Sequence, residues 1–168
     1  GVGLSRLLDE FARQLQQEER TYTLRADYGH NLRRPPFAGL LDSLDQLLAE
    51  HFPSRRLLSL FSDPAHALLL PQLPATSERI GSDDDPATHI SATDPSTLSA
   101  HLSSLLAQVA KLRPVVILLD DAQWMPEPDQ QLLLGIHAAL GDAAVMVVAT
   151  LCTGYREHET FRSRTERM

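Results

Sequence analysis

The sequence predicts an α/β fold, a three-layer α/β/α sandwich around a mostly parallel sheet. Three observations carry that prediction. The run Val115-Val116-Ile117-Leu118-Leu119-Asp120-Asp121 is five apolar residues ending in two carboxylates, the pattern of a parallel strand buried on both faces. The glycine-led opening Gly1-Val2-Gly3-Leu4-Ser5 runs straight into residues at helical spacing. Between and after these two segments, helical and strand patterns alternate, as they do when helices cross over a parallel sheet.

Taken in order, Leu4, Leu7, Leu8, Phe11 and Leu15 predict an amphipathic helix over 4–18. Residues 20–28 (RTYTLRADY) alternate roughly and carry β-type side chains, so they predict a strand. Pro35-Pro36 enforces extended backbone before a second helix over 37–51, with Leu40, Leu41, Leu44, Leu47 and Leu48 on its inner face. Pro53 ends that helix, and 54–73 reads as short helical pieces. Residues 74–97 (PATSERIGSDDDPATHISATDPST) offer almost nothing to bury and read as a surface loop or disordered insertion. A helix follows over 96–112, then the acid-tipped strand 115–119. Pro126 and Pro128 mark the turn into a helix over 128–140, which Gly141 caps before a buried strand at 144–150. The tail 155–168 is polar and has no core face.

Bulk numbers narrow the function. At 168 residues, 43% apolar and 22% charged, the chain is one ordinary globular domain able to bury a core. The net charge of −7 is local: residues 61–140 hold ten acids and three bases, while both flanks balance. No basic stripe exists for nucleic acid, and no segment reaches a membrane span. The lone Cys152 excludes an internal disulfide and fits a reducing, cytoplasmic setting. The seven histidines lack metal-ligand spacing, and Asp83-Asp84-Asp85 lacks the spacing of a calcium loop. Ser5 and Ser43 have no nucleophile-elbow context.

The two ends of the pattern carry the chemistry. GVGLS looks like the tail of a phosphate-binding loop, G-x-x-x-x-G-K-[ST], with Leu4 where the lysine belongs and Ser5 at the magnesium-ligating hydroxyl. Such a loop works because backbone N–H groups at a helix start converge on an anion. Alone, the same five residues equally describe a glycine-rich turn before a helix. Carboxylates at the carboxyl end of a sheet strand stand where open α/β sheets bind ligands. In P-loop enzymes the first such acid holds magnesium and the second can orient an attacking water, roles that would fall to Asp120 and Asp121 here; a strand that merely meets solvent is the plainer alternative.

DDAQWMPEPDQQLLLGIHAAL closely resembles the segment after the acidic strand in AAA-type ATPase domains of STAND signalling proteins, multidomain regulators typified by the LuxR-like activators of the large ATP-binding class. GVGLSRLLDEFARQL is similar to the family's helix start, and LSAHLSSLLAQVAKLRPVVILLDD to its helix and acidic strand. The resemblance implies a P-loop NTPase sandwich over 1–154, lacking its first strand and its C-terminal lid. It implies ATP or ADP with Mg2+ at Gly1, Val2, Gly3, Leu4, Ser5 and Arg6, magnesium at Ser5 and Asp120, water activation by Asp121, and γ-phosphate sensing by Thr150. Gln123-Trp124 stands where relatives carry a His-Trp or similar pair, and packing is the main physical job expected of Trp124.

The family's task is a nucleotide-dependent conformational switch for attached output and sensor domains, in signal transduction or transcription regulation. Self-association is open, and direct contact with nucleic acid or membrane is not expected. Leu4 and the absent upstream strand set this copy apart. They predict weak or absent hydrolysis, with a nucleotide-independent pseudo-ATPase scaffold, or an incomplete gene product without a role of its own, as alternatives.

Overall fold

The computed structural model describes residues 3–18, 20–29, 35–81 and 95–152. Three parallel strands, β1 (Tyr22–Asp27), β2 (Val115–Asp120) and β3 (Val145–Ala149), lie side by side in sequence order. Tyr22 stands beside Val115 and Asp27 beside Asp120, while Val115 stands beside Val145 and Leu119 beside Ala149. The α/β class and the parallel sheet with flanking helices are as the sequence predicts.

Alternation along β2 sorts the two faces. Val116 and Leu118 pack with Leu8 and Ala12 of α1 (Leu4–Glu18). Val115, Ile117 and Leu119 face the larger core, built from α2 (Ala38–His51), α3 (Ser54–Phe61), α5 (Pro74–Ile80), α6 (Pro95–Ala110) and α7 (Glu127–Leu140). A short α4 (Pro64–Ala67) seats buried His66, whose ring nitrogens meet the Leu60 carbonyl and the Ser104 hydroxyl. The period of two therefore aims Asp120 at α1.

Two expectations need correction. Residues 74–80 are helix, not the start of a surface loop; residues 82–94 and the tail from 153 lie outside the described residues. Asp45 of α2, 6% exposed, accepts hydrogen bonds from the N–H groups of Ala75 and Thr76 at 2.9 and 2.8 Å. A carboxylate at a helix start satisfies orphan donors and complements the dipole. Gly81, with φ 69°, closes the helix. Because the cap is supplied from 30 residues away, no local signal announces it. Asp45→Ala should lower stability by about 1.5–3 kcal/mol, seen as a fall in the urea midpoint at unchanged slope.

The last strand is less buried than its apolar run predicts. Met146 and Val147 are 47% and 37% exposed. Among the described residues β3 pairs only with β2, leaving its other edge open. An apolar groove of about 740 Å3 runs between that strand and α1, lined by Leu4, Leu7, Phe11, Met146 and Val148 among others.

Candidate functional site

Asp120 is the hub of the candidate site. It ends β2 on the α1 side and is 4% exposed. One carboxylate oxygen, Oδ1, accepts from three donors: the Thr150 hydroxyl at 2.5 Å, the Asp121 N–H at 3.1 Å and the Ser5 hydroxyl at 3.2 Å. Thr150 lies just past β3 and is fixed in turn, its hydroxyl accepting from the Asp121 N–H at 2.9 Å. Its own N–H donates to Leu119 and its carbonyl accepts from Ala122. Three separate elements, the start of α1 and the carboxyl ends of β2 and β3, thus bring Ser5, Asp120 and Thr150 together.

The start of α1 is a glycine-led helix N-terminus. Gly3 has φ 75°, a left-handed conformation that favours glycine, and its carbonyl accepts from Leu7 as the helix begins. The first amides of a helix have no intrahelical acceptor and point outward as anion donors. Arg6 is exposed on the first turn. Leu4 lines the apolar groove beside Met146 and Leu151 and brings no charge to the acids. Gly1 and Val2 lie outside the described residues.

Asp121 takes a different course from Asp120. It is a non-glycine residue at φ 52°, and this left-handed step swings its side chain out of the strand's alternation. Its Oδ1 accepts from the Gln123 amide at 3.0 Å, and its other oxygen sits against Gly29, where a Cβ would collide with it. Gln123 is buried and also accepts from the Cys152 N–H at 3.1 Å. The two acids therefore have different partners: Asp120 faces Ser5 and Thr150, and Asp121 is held towards the end of β1. The buried partner in the pair Gln123-Trp124 is Gln123, whereas Trp124 is 38% exposed.

Sequence reasoning missed Arg25 and the loop clamp at Asp129. Arg25 of β1 shares the α1 face, with one guanidinium nitrogen 2.5 Å from Asp9 of α1 and another 3.6 Å from Asp120 Oδ2. The alternation Thr23, Arg25, Asp27 was a usable signal for a polar face, but the strand register that sets it beside Asp120 was not visible.

Asp129, in the first turn of α7, holds both ends of the segment after β1. The Tyr28 hydroxyl donates to it at 3.2 Å and the Phe37 N–H at 3.1 Å. Phe37 sits at φ 68°, costly for a bulky side chain, and this bond helps hold it there.

Burial raises the Asp129 carboxyl above its ordinary range, against the opposing pull of the Phe37 N–H and the Tyr28 hydroxyl. Burial, with the Asp129 charge and hydrogen bond adding to it, raises the Tyr28 phenol well above the ordinary phenol range. A phenol whose folded pKa is raised contributes stability that is full below the unfolded value and lost as pH climbs above it. Stability should therefore fall between pH 9 and 11, and Tyr28→Phe should remove this component. Urea midpoints of both proteins at the two pH values provide the check.

The donor set suits a hard cation. Mg2+ takes oxygen ligands and keeps waters, needing only one or two carboxylates beside a nucleotide's phosphates. Ser5 and Asp120 offer a hydroxyl and a carboxylate side by side. Among the described residues no group of three or more His, Cys, Asp or Glu side chains could hold a metal by itself.

A glycine-led helix start facing the acid tip of a central parallel strand, with a hydroxyl from the neighbouring strand, is the arrangement of a phosphate-binding α/β domain. The family model of the AAA ATPase domain matches residues 1–148, and the chain belongs to that family. Comparison with the curated proteins and with the solved structures returns no match. No described helix is long and apolar enough to cross a membrane.

Proposed function

We propose that this domain binds ATP or ADP with Mg2+ and serves as a STAND-type conformational switch for output and sensor domains of a longer cytoplasmic protein, in signal transduction or transcription regulation. The observation that carries the proposal is the convergence of Ser5 and Thr150 on the Asp120 carboxylate beside the start of α1. Amides from Gly3 to Arg6 receive phosphate oxygens, and Ser5 and Asp120 hold the metal. Magnesium, when bound, neutralises charge on the phosphates. Thr150 ties the end of β3 to Asp120, so a change at the phosphates reaches the β2–β3 pair directly. Asp121, oriented by Gln123, is the group to position an attacking water.

Turnover is slow or absent in this chain. Phosphoryl transfer depends on charge stabilisation at the transition state, and Leu4 supplies none.

A second reading, a nucleotide-independent scaffold, is favoured by one observation. Asp120 already has protein partners on both oxygens, and Leu4 belongs to the apolar groove. Calorimetric titration of the chain and of Leu4→Lys with Mg-ATP separates the two. Saturable heat in the unaltered chain supports the switch; heat in Leu4→Lys alone supports the loop geometry but leaves this chain a scaffold, as does silence in both folded proteins.

A further inference from the structure

The two oxygens of Asp120 have unequal surroundings. Oδ1 accepts from Ser5, Thr150 and the Asp121 N–H, whereas the contact given for Oδ2 is Arg25, at 3.6 Å. We infer that Arg25 is a resident counter-ion of the metal-binding carboxylate, holding Asp120 Oδ2 in the nucleotide-free protein and yielding it to a divalent cation. This inference rests on the assignment of Asp120 as the metal carboxylate.

Geometry supplies the exchange. The same guanidinium already makes a closer ion pair, 2.5 Å, with Asp9 on α1. Arg25 and Asp9 side chains are 41% and 56% exposed, so the guanidinium has room to settle on Asp9 without entering the core. A guanidinium cannot lose its charge near neutral pH, so it competes with the cation for the carboxylate rather than deprotonating. The neighbouring cation on α1, Arg13, is engaged by Glu10 and is no substitute. Asp27, two residues along β1 on the same face, binds the Gly29 N–H. Arg25 thus sets a threshold: divalent cation enters only when its gain exceeds the loss of the Arg25–Asp120 contact.

The test is Mn2+ binding to the nucleotide-free chain, read as loss of the free-ion electron paramagnetic resonance signal. Arg25→Gln should bind Mn2+ about fivefold or more tightly, the low end of a neighbouring charge's effect once solvent screening is allowed for. Arg25→Lys, which keeps the charge, should stay near the unaltered chain. The gain should vanish when Asp120→Asn is added to Arg25→Gln. Asp9→Asn, on the exposed face of α1, removes the second seat and should weaken Mn2+ binding. Equal or weaker Mn2+ affinity in folded Arg25→Gln, including no binding at all, overturns the inference, as does a gain that survives Asp120→Asn. A separate ATP titration keeps the two claims apart. Mn2+ gain without ATP binding sinks only the nucleotide reading, and ATP binding without the gain sinks only the counter-ion.

Discussion

Asp120→Ala should lower stability by about 2–3 kcal/mol, a drop of about 4–12 °C in the melting temperature for a chain of this size, and should abolish any Mg2+ dependence of ATP binding. The first effect follows from what the carboxylate accepts. Removing it strands the Ser5 and Thr150 hydroxyls and leaves the Asp121 N–H with Thr150 alone. Ser5 is exposed and recovers water, so most of the loss comes from the part-buried Thr150 hydroxyl and the Asp121 N–H. The Arg25 contact adds little, since that side chain is 41% exposed. Asp120→Asn retains a side-chain oxygen for Thr150 and should fall between the two proteins in stability while still losing the Mg2+ effect. Thermal melts and paired titrations in Mg2+ and in EDTA read both quantities. A protein that tolerates Asp120→Ala without loss would show that the convergence of three elements on this carboxylate is not holding them together.

Leu4→Lys should gain Mg-ATP affinity by about tenfold or more, the equivalent of a charge-assisted hydrogen bond of about 1.5–3 kcal/mol. The position tolerates the change, because Leu4 is 37% exposed and lines an open groove. A lysine there can keep its alkyl stem along the apolar lining of the groove while its ammonium stays in water, and Thr150 lines the same groove. Isothermal calorimetry on both chains measures the ratio. An unchanged affinity would mean that residue 4 does not look onto the phosphates, and the phosphate-loop assignment of Gly3 to Arg6 would fail with it.

The elements that could be read from sequence were those whose stabilising partners are local or uniform. α1, α2 and α7 carry regular leucine spacing, and β2 is apolar up to its terminal Asp120 because it is covered on both faces. α5 escaped because Pro-Ala-Thr-Ser looks like loop chemistry, and its start is capped by Asp45 on another helix. β3 was overrated as a buried strand because Val145 to Ala149 is as apolar as β2, yet one edge lies open among the described residues.

The site divides the same way. Asp120 ends an apolar strand, where topology puts ligands, so residue type and position single it out; Thr150 is reached only through the resemblance to the family's next strand. The divergence of Asp121 depends on one left-handed backbone step that its residue type does not dictate. Arg25 depends on strand register, and the Tyr28–Asp129–Phe37 clamp joins residues about 100 positions apart. Neither relation leaves a periodic trace.

The most direct measurement is a two-dimensional amide NMR titration of the unaltered chain with Mg-ATP carried to millimolar concentration, which detects weak binding and locates it. Binding at the proposed site predicts the largest saturable shifts at Gly3 to Arg6, at Asp120 and Asp121, and at Thr150, with smaller shifts when Mg2+ is withheld. A folded chain with no shifts there, or with shifts confined to other surfaces, would contradict the placement of nucleotide at the Asp120 hub.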